Sequence, residues 1–305
     1  MEDMTMAALQ HQASAPAAAA PVQLPLKLRL ARLGYRLGGM LAPATAGRFA
    51  ADAFGRSRMK GARTSFKLPL GAEAFGIVGN QDVQQGYVWK KNGPTALLVH
   101  GWGSDSSSMY GFVKPMQTLG FQVASFDAPA HGAAAGHKTT MTRFVNAVGA
   151  TIDSLDNVQV VIAHSLGSIA TVAALSQAGF ARSVKCLVLL AAPSALSNVL
   201  ERWSKDHLQL APRIVQQVYR HLHADNGVPL SHWDIAVLGA GMQIPVLVLH
   251  DPQDPVVPFC EAERLAGSLH NVLLEQAPAL GHSRILSAAS VKQRVAEFVT
   301  DAIST

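Results

Sequence analysis

A serine at the junction of a strand and a helix is the first candidate for chemistry in this chain. Ser165 stands in an Ala-His-Ser-Leu-Gly sequence, after the apolar run 160–162 and before a helical pattern. A serine on so tight a turn projects its hydroxyl from the carboxyl edge of a sheet, and small residues are needed two positions before and after it. Ala163 and Gly167 meet that need. The alternative is a serine that only caps the helix.

A glycine-containing loop offers the means to stabilise an oxyanion. His100-Gly101-Trp102-Gly103 follows the buried-strand pattern at 96–99. Such a loop can present a backbone N–H to a substrate carbonyl, and the helix after Ser165 can present another. The backbone N–H groups of Trp102 and Leu166 are therefore the candidate oxyanion donors. His100 itself is expected to be structural and to hold the loop by hydrogen bonds.

Two carboxylates follow a further buried-strand pattern at 246–249. Asp251 comes directly after the strand, and Asp254 lies three residues further along the turn. Either one could orient a histidine and stabilise its imidazolium form, and the other would then be an ordinary turn residue. A position out in the turn suits that role better, while Asp before Pro favours turn initiation at Asp251.

The candidate base is His282, in a Leu-Gly-His-Ser-Arg segment between the last strand pattern and the C-terminal helix. A histidine on a loop at the carboxyl edge of the sheet can reach Ser165. A single loop histidine is weak evidence, but the order Ser, Asp, His along the chain is the one that this kind of architecture requires.

Together these four segments resemble the α/β-hydrolase superfamily over roughly residues 62–303. The segment 126–132, Phe-Asp-Ala-Pro-Ala-His-Gly, resembles the loop that follows the next strand in that superfamily. The likeness is greatest to uncharacterised bacterial α/β hydrolases with a basic N-terminal helix, an Ala-His-Ser-Leu-Gly elbow and a Gly-His-x-Arg-Ile-Leu loop.

The resemblance implies one role for each matching residue. It implies Ser165 as nucleophile, Asp254 as acid and His282 as base, with the oxyanion on the backbone N–H groups of Trp102 and Leu166. The sequence departs from the superfamily pattern at two positions. Alanine replaces the usual glycine at 163, two residues before the serine, and at 130, before a histidine; we expect the added methyl at 163 to be tolerated.

Strand and helix patterns alternate along the part of the chain that carries these segments. Apolar runs typical of buried strands occupy 86–89, 96–100, 122–127, 159–163, 186–191, 245–250 and 272–276. Amphipathic helical patterns lie near 107–119, 140–155, 166–179, 260–269 and 288–303. This alternation predicts an α/β fold with a mostly parallel central sheet and helices on both faces.

The chain is expected to divide into four parts. Residues 1–23 form an Ala/Pro-rich tail, and 24–61 form a basic amphipathic helical segment. Residues 62–193 and 242–305 form the α/β core. The interval 194–241 contains helical patterns and no good strand pattern, and it is too long for a plain connection, so we expect a small helical cap there.

The helical segment allows two arrangements. Leucines recur at 26, 30, 33, 37 and 41 among lysine and arginine residues, and Gly38, Gly39 and Pro43 are expected to divide the segment into two helices. A basic amphipathic helix can lie on a membrane surface. The arrangement we expect is the commoner one, in which the helix packs on the main domain and its arginines are solvated.

Composition bounds the class of protein. Hydrophobic residues make up 49% of the 305 residues, charged residues 15%, and the net charge is +5, with no dense basic block for nucleic acid. The start of the chain lacks the features of a signal peptide, no apolar run could span a bilayer, and two cysteines are too few for a disulfide framework. A soluble, cytoplasmic protein of undetermined oligomeric state is expected.

The reaction that these residues predict is acyl transfer to water. A carboxylesterase-like serine hydrolase of a small-molecule acyl ester would need no metal and no organic cofactor. Thioester or amide hydrolysis, C–C bond cleavage or lipid acyl hydrolysis on the same residues is the alternative, because one fold hosts many reactions. A binding protein that keeps the scaffold without catalysis is the alternative from another class. Neither acyl length nor ester against thioester preference follows from the sequence.

Overall fold

The computed structural model describes residues 25–57, 67–177 and 183–304. The expected tail at 1–23 and the expected start of the core at residue 62 lie outside the described residues. The last residues of the helix expected at 166–179 also lie outside them.

A single eight-stranded sheet forms the centre of the described residues. Its strands are β1 Glu73–Gly76, β2 Gln85–Trp89, β3 Thr95–Val99, β4 Gln122–Phe126, β5 Val158–His164, β6 Cys186–Leu190, β7 Val246–His250 and β8 Val272–Gln276. Their spatial order is β1-β2-β4-β3-β5-β6-β7-β8. Strands β3 to β8 are parallel to one another. Strands β1 and β2 extend the sheet at the β4 edge by antiparallel pairing. The predicted mostly parallel sheet is confirmed.

Helices connect the strands and cover the sheet. The α-helices of the described residues are α1 Leu26–Leu41, α2 Pro43–Gly55, α3 Val113–Thr118, α4 Met141–Asp153, α5 Leu166–Leu175, α6 Leu196–Arg202, α7 Pro212–Asn226, α8 Ile235–Leu238, α9 Phe259–Ala266, α10 Gly281–Arg284 and α11 Ala289–Ser304. Two 3₁₀ helices, Ser106–Phe112 and Leu230–His232, and a π-helical turn, Trp203–Leu208, complete them.

Strand β5 shows how the sheet divides the core into two layers. Val161 and Ala163 face the layer that contains α4 and α5, whereas Val160 and Ile162 face the layer that contains α11. Alternate residues of a strand point to opposite faces, and both faces here are buried. The strand is therefore apolar throughout, and its carboxyl end is fixed from both sides.

All seven predicted strands are present, with small differences at their ends. Strand β1, Glu73–Gly76, was not predicted. It is four residues long, lies at the edge of the sheet and is mostly exposed, so it has neither the length nor the hydrophobic pattern that identifies a strand.

The N-terminal helices differ from expectation in how they pack. The break between α1 and α2 falls at Ala42, before Pro43, while Gly38 and Gly39 remain helical. Gly39 lies against Ile214 of α7, where a Cβ would come within 2.8 Å of the isoleucine methyl. The helix packs on the main domain as expected, but its regularly spaced leucines are exposed. The helix packs through its other face, and Arg32, expected in solvent, donates hydrogen bonds to backbone carbonyls at 206 and 207.

The interval 194–241 connects β6 to β7 and contains helices but no strand of the sheet. An isolated antiparallel bridge joins Ala195, near its start, to Asp234, later in the interval. None of the helices within residues 25–57, 67–177 and 183–304 has the length and hydrophobicity needed to cross a membrane.

Candidate active site

Ser165 occupies a strained turn between β5 and α5. Its φ and ψ angles are 52° and −129°, a conformation that costs a residue other than glycine about 1–3 kcal/mol. The Ser165 N–H donates to the carbonyl of Leu190, at 3.0 Å, and so anchors the turn to the neighbouring strand. A Cβ at Gly167 would lie 2.3 Å from the His100 carbonyl oxygen, so only glycine fits there. The surrounding structure therefore fixes the direction of the serine side chain.

A continuous line of hydrogen bonds links Ser165, His282 and Asp254. Nε2 of His282 lies 3.1 Å from Oγ of Ser165, and Nδ1 lies 2.8 Å from Oδ2 of Asp254. A carboxylate only accepts hydrogen bonds, so Nδ1 carries the proton and Nε2 is left free to accept one from the serine hydroxyl. The three predicted residues are thus brought together, from loops at the carboxyl ends of β5, β7 and β8.

The second oxygen of Asp254 is held by the backbone of its own turn. Oδ1 accepts the N–H groups of Val256, at 2.7 Å, and Val257, at 3.0 Å. Burial opposes ionisation, but the hydrogen bonds from His282 and from these two amides outweigh it and keep the pKa of Asp254 below its usual value. The carboxylate is therefore charged at neutral pH and has a fixed orientation.

Asp251 does more than the turn initiation expected of it. Its Oδ1 accepts the Gln253 N–H at 2.9 Å, which is the expected turn. Its Oδ2 accepts the N–H of Gly281, directly before His282. Backbone hydrogen bonds, first from Gln253 and then from 279–281, hold the pKa of Asp251 below its usual value in spite of desolvation. This carboxylate joins the acid turn to the histidine loop.

His164 is a further residue of the site that the sequence reasoning did not single out. Its Nε2–H donates to the carbonyl oxygen of His282 at 2.9 Å, and the two rings are 4.8 Å apart. Burial, and then the proximity of His282, lower the pKa of His164 to about 3, so it stays neutral. The only sequence signal for it is its place directly before Ser165.

Two buried histidines hold the loop that carries the Trp102 amide. His100 donates from Nδ1 to the Gly101 carbonyl, at 2.8 Å, and accepts the Ala128 N–H at Nε2. His131 accepts the Gly103 N–H at Nε2, at 3.0 Å, and donates from Nδ1 to the Pro129 carbonyl, at 2.9 Å. The structural role expected for His100 agrees with these contacts. Both rings are neutral, and each donates one hydrogen bond to a backbone carbonyl and accepts one from a backbone N–H.

Asp127 fixes the same loop from the other side. Its buried carboxylate accepts hydrogen bonds from the N–H groups of Ser106 and Ala133 and from the hydroxyl of Tyr87, all at 2.8–2.9 Å. A Cβ at Gly132 would lie 2.2 Å from the carboxylate carbon, which excludes any other residue there. Ala130 has a φ of 64°, so alanine adopts at this position a conformation that favours glycine.

The backbone N–H groups expected to be oxyanion donors belong to residues close to the serine. Leu166 is the first residue of α5, where a helical N–H has no acceptor within its own helix. Gly101 passes so close to the elbow that a Cβ there would come within 2.8 Å of the Ser165 Cβ. This close approach brings Trp102 beside the serine, and Trp102 and Leu166 both line the cavity in front of it.

A cavity of about 610 Å³ opens in front of Ser165 and His282. Its walls come from the carboxyl edge of the sheet, from the interval 194–241 and from the end of α2. The apolar part of the wall includes Phe54, Trp102, Leu196, Val199, Trp203 and Leu222. Its size and mixed polarity are typical of small-molecule sites.

Residues 94–232 match the family model of the α/β hydrolase fold, a match that includes Ser165 but ends before Asp254 and His282. A comparison with curated protein sequences finds no match.

Solved structures of low sequence identity share the fold. Est1E from Butyrivibrio proteoclasticus is 18% identical, with a TM-score of 0.59 over 77% of this chain and 100% of that one. The Pyrococcus furiosus esterase Pf2001 is 21% identical, with a TM-score of 0.56 over 81% and 99%. Naproxen esterase from Bacillus subtilis is 16% identical, with a TM-score of 0.55 over 76% and 93%. The predicted α/β-hydrolase fold is confirmed.

Proposed function

We propose that this chain, which has the α/β-hydrolase fold, is a serine hydrolase that cleaves an ester-type acyl bond. The observation that carries the proposal is the line of hydrogen bonds from Ser165 through His282 to Asp254, with lengths of 3.1 and 2.8 Å. Nucleophile, base and orienting acid need this order and this tautomer of the histidine.

In the proposed reaction, Oγ of Ser165 attacks the ester carbonyl while its proton passes to Nε2 of His282. The C–O bond to the leaving alcohol then breaks, and the alcohol oxygen takes that proton. A water molecule attacks the acyl-serine, again giving its proton to His282, and the acid is released as the serine recovers its hydrogen. Charged Asp254 stabilises the imidazolium form at both stages.

The negative charge of each tetrahedral intermediate would rest on two backbone amides, those of Trp102 and Leu166. Such donors accelerate a reaction only if they are held in place before charge develops. Here the hydrogen bonds of His100, His131 and Asp127 fix the loop of Trp102, and the start of α5 fixes Leu166. The helix dipole adds a partial positive charge at the same point.

The cavity and the relatives support an apolar ester as the class of substrate. Aromatic and aliphatic walls suit an apolar acyl or aryl group, and the volume admits a molecule of drug-like size. Two of the similar structures are titled esterases, and Est1E has been solved with ferulic acid bound. Because the cavity wall includes residues of 194–241, we propose that this interval acts as the cap over the acyl site.

A test of the proposal combines labelling with a substrate screen. A fluorophosphonate probe should label the wild-type protein at Ser165, and p-nitrophenyl esters of graded acyl length should be hydrolysed. Parallel acyl thioesters separate esterase from thioesterase activity. Absence of labelling in a folded protein would favour the non-catalytic binding protein, whereas labelling with turnover only of thioesters or lipids would keep the nucleophile and change the substrate.

A further inference from the structure

An apolar stripe runs along the outer face of α1. Six of its side chains are between 52 and 85% exposed. They are Leu26, Leu30, Leu33, Leu37, Met40 and Leu41. The first five are separated by four, three, four and three positions, which places them on one side of a helix. Phe49 on α2 adds another large exposed apolar side chain.

The helix that bears this stripe is firmly held by its opposite face. Arg32 donates hydrogen bonds of 2.8 and 2.7 Å to the carbonyls of His207 and Asp206, and Gly39 packs against Ile214. A helix docked in this way has a fixed outer surface. The stripe is therefore presented to the surroundings as a rigid apolar strip, which an ordinary surface helix of a monomer does not expose.

Cations flank the stripe, and the one carboxylate of α1 and α2, Asp52, is paired with Lys138. Residues 25–51 contain five lysines and arginines and no acidic residue, so the segment accounts for a charge equal to the whole net charge of +5. Lys27, Arg29, Arg36 and Arg48 are exposed. This combination of exposed leucines with lysine and arginine is the pattern of helices that lie in the interface of an anionic bilayer.

A second copy of the chain fits this surface less well. Two stripes packed against each other would bring the flanking cations of both copies together, and α1 itself carries no carboxylate to pair with them. An anionic lipid surface offers apolar depth and negative charge at once. With 16 residues, α1 is shorter than the roughly 20 needed to span, so it would lie along the surface.

We propose that α1 and the outer face of α2 form a docking surface for an anionic phospholipid bilayer. The surface is joined directly to the candidate site. Phe54 at the end of α2 and Arg56 directly after that helix line the cavity, and the indole N–H of Trp102 donates to the Arg56 carbonyl at 3.2 Å. Phe49 and Arg56 are seven residues apart, about 10 Å along a helix. A bound bilayer would thus lie close to the cavity wall.

The test is co-sedimentation of the full chain with vesicles. Wild-type protein should bind vesicles of equimolar phosphatidylcholine and phosphatidylserine and bind phosphatidylcholine alone far more weakly. The variant Leu30→Gln/Leu33→Gln/Leu37→Gln should lose binding to both. The variant Lys27→Gln/Arg29→Gln/Arg36→Gln should lose about a hundredfold on the anionic vesicles, because each such cation contributes roughly a fivefold factor near an anionic surface.

Matched controls lie outside the stripe. Leu70→Gln removes an exposed leucine elsewhere, and Lys67→Gln/Lys114→Gln/Lys185→Gln removes three exposed cations elsewhere; both should bind as wild type does. Equal melting temperatures check that the variants fold.

Three results would overturn the proposal, and none depends on enzymatic activity. The first is vesicle binding that persists in the leucine variant, or that the control substitutions weaken as much as the substitutions in the stripe do. The second is a dimer in solution that the leucine variant dissociates, without vesicle binding, which would make a second copy the occupant. The third is vesicle binding only after removal of residues 1–24, which would make the N-terminal segment the occupant.

Discussion

The carboxylate of Asp251 accepts a hydrogen bond from the backbone N–H of Gly281, the residue next to His282. Asp251 therefore lies beside the proposed catalytic line without being in it. Asp254, three residues away, contacts the imidazole itself. Two carboxylates of one turn thus hold the same histidine in different ways, one through its ring and one through its backbone.

Replacing Asp254 should stop turnover while the protein still folds. Asp254→Asn removes the charge that stabilises the imidazolium and can hold the ring in the wrong tautomer, a change that costs about four decades in kcat in a comparable triad. The measurements are kcat at neutral pH and the melting temperature. An active Asp254→Asn variant alongside an inactive Asp251→Asn variant would exchange the two assigned roles.

Replacing Asp251 should act mainly on stability. Asp251→Asn weakens the hydrogen bonds to Gln253 and to the histidine loop, and a loss of about 1 kcal/mol in unfolding free energy is expected from one of them. A smaller fall in kcat, about tenfold, should accompany it because the loop positions His282. Urea unfolding and kcat give both values, and a loss of unfolding free energy that leaves kcat unchanged would exclude the positioning role.

Two substitutions of the nucleophile separate chemistry from strain. Ser165→Ala should abolish fluorophosphonate labelling and lower kcat by several decades. Ser165→Gly should have the same effect on labelling and kcat. It should nevertheless melt at a higher temperature than Ser165→Ala, because glycine adopts a φ of 52° without the cost that other residues bear. Labelling of Ser165→Ala would refute the assignment, and equal melting temperatures would refute the strain.

The residues of the candidate site could be chosen from the sequence because each of them follows a strand pattern. Ser165, Asp254 and His282 could be aligned on one sheet edge once β5, β7 and β8 had been recognised from their hydrophobic runs. The contacts that support the site were harder to foresee. Those of His164 and Asp251 are made with backbone groups of a distant loop, and no periodicity in the sequence reports which loops meet.

The N-terminal segment shows the other limit of sequence reasoning. The spacing of its leucines correctly indicated an amphipathic helix. The spacing did not indicate which face of the helix packs on the rest of the protein, because that depends on contacts with residues near 206 and 214, far along the chain. The less hydrophobic face is the one that packs. Hydrophobic spacing identifies the apolar side of a helix but not the element that covers it.

The proposed cap should control substrate choice more than reactivity. Trp203 lines the cavity and meets Phe54 edge to face, with ring centroids 5.2 Å apart, whereas Trp233 is buried in the core and does not line the cavity. Trp203→Ala should therefore raise kcat/KM for longer acyl chains relative to short ones, by about tenfold or more, with labelling of Ser165 retained. Trp233→Phe is the matched control and should leave the preference unchanged. Equal loss on every ester, together with loss of labelling, would make Trp203 part of the scaffold.

The buried histidines should make the folded protein sensitive to mild acid. Burial, and then the proximity of His100, lower the pKa of His131 to about 4. Burial lowers the pKa of His164 to about 3. Unfolded histidines titrate near pH 6.5, so below that pH the unfolded chain binds protons that the folded chain does not. The stabilisation is complete above pH 6.5 and is lost as the pH falls toward 4. Each such histidine should lower the unfolding free energy by about 1.4 kcal/mol per pH unit within that window.

Urea unfolding between pH 7.5 and 4.5 measures the slope of the unfolding free energy against pH. His131→Gln, which cannot titrate, should reduce that slope by about one proton, and an unchanged slope would show that His131 takes up its proton over the same pH range in the folded and unfolded states.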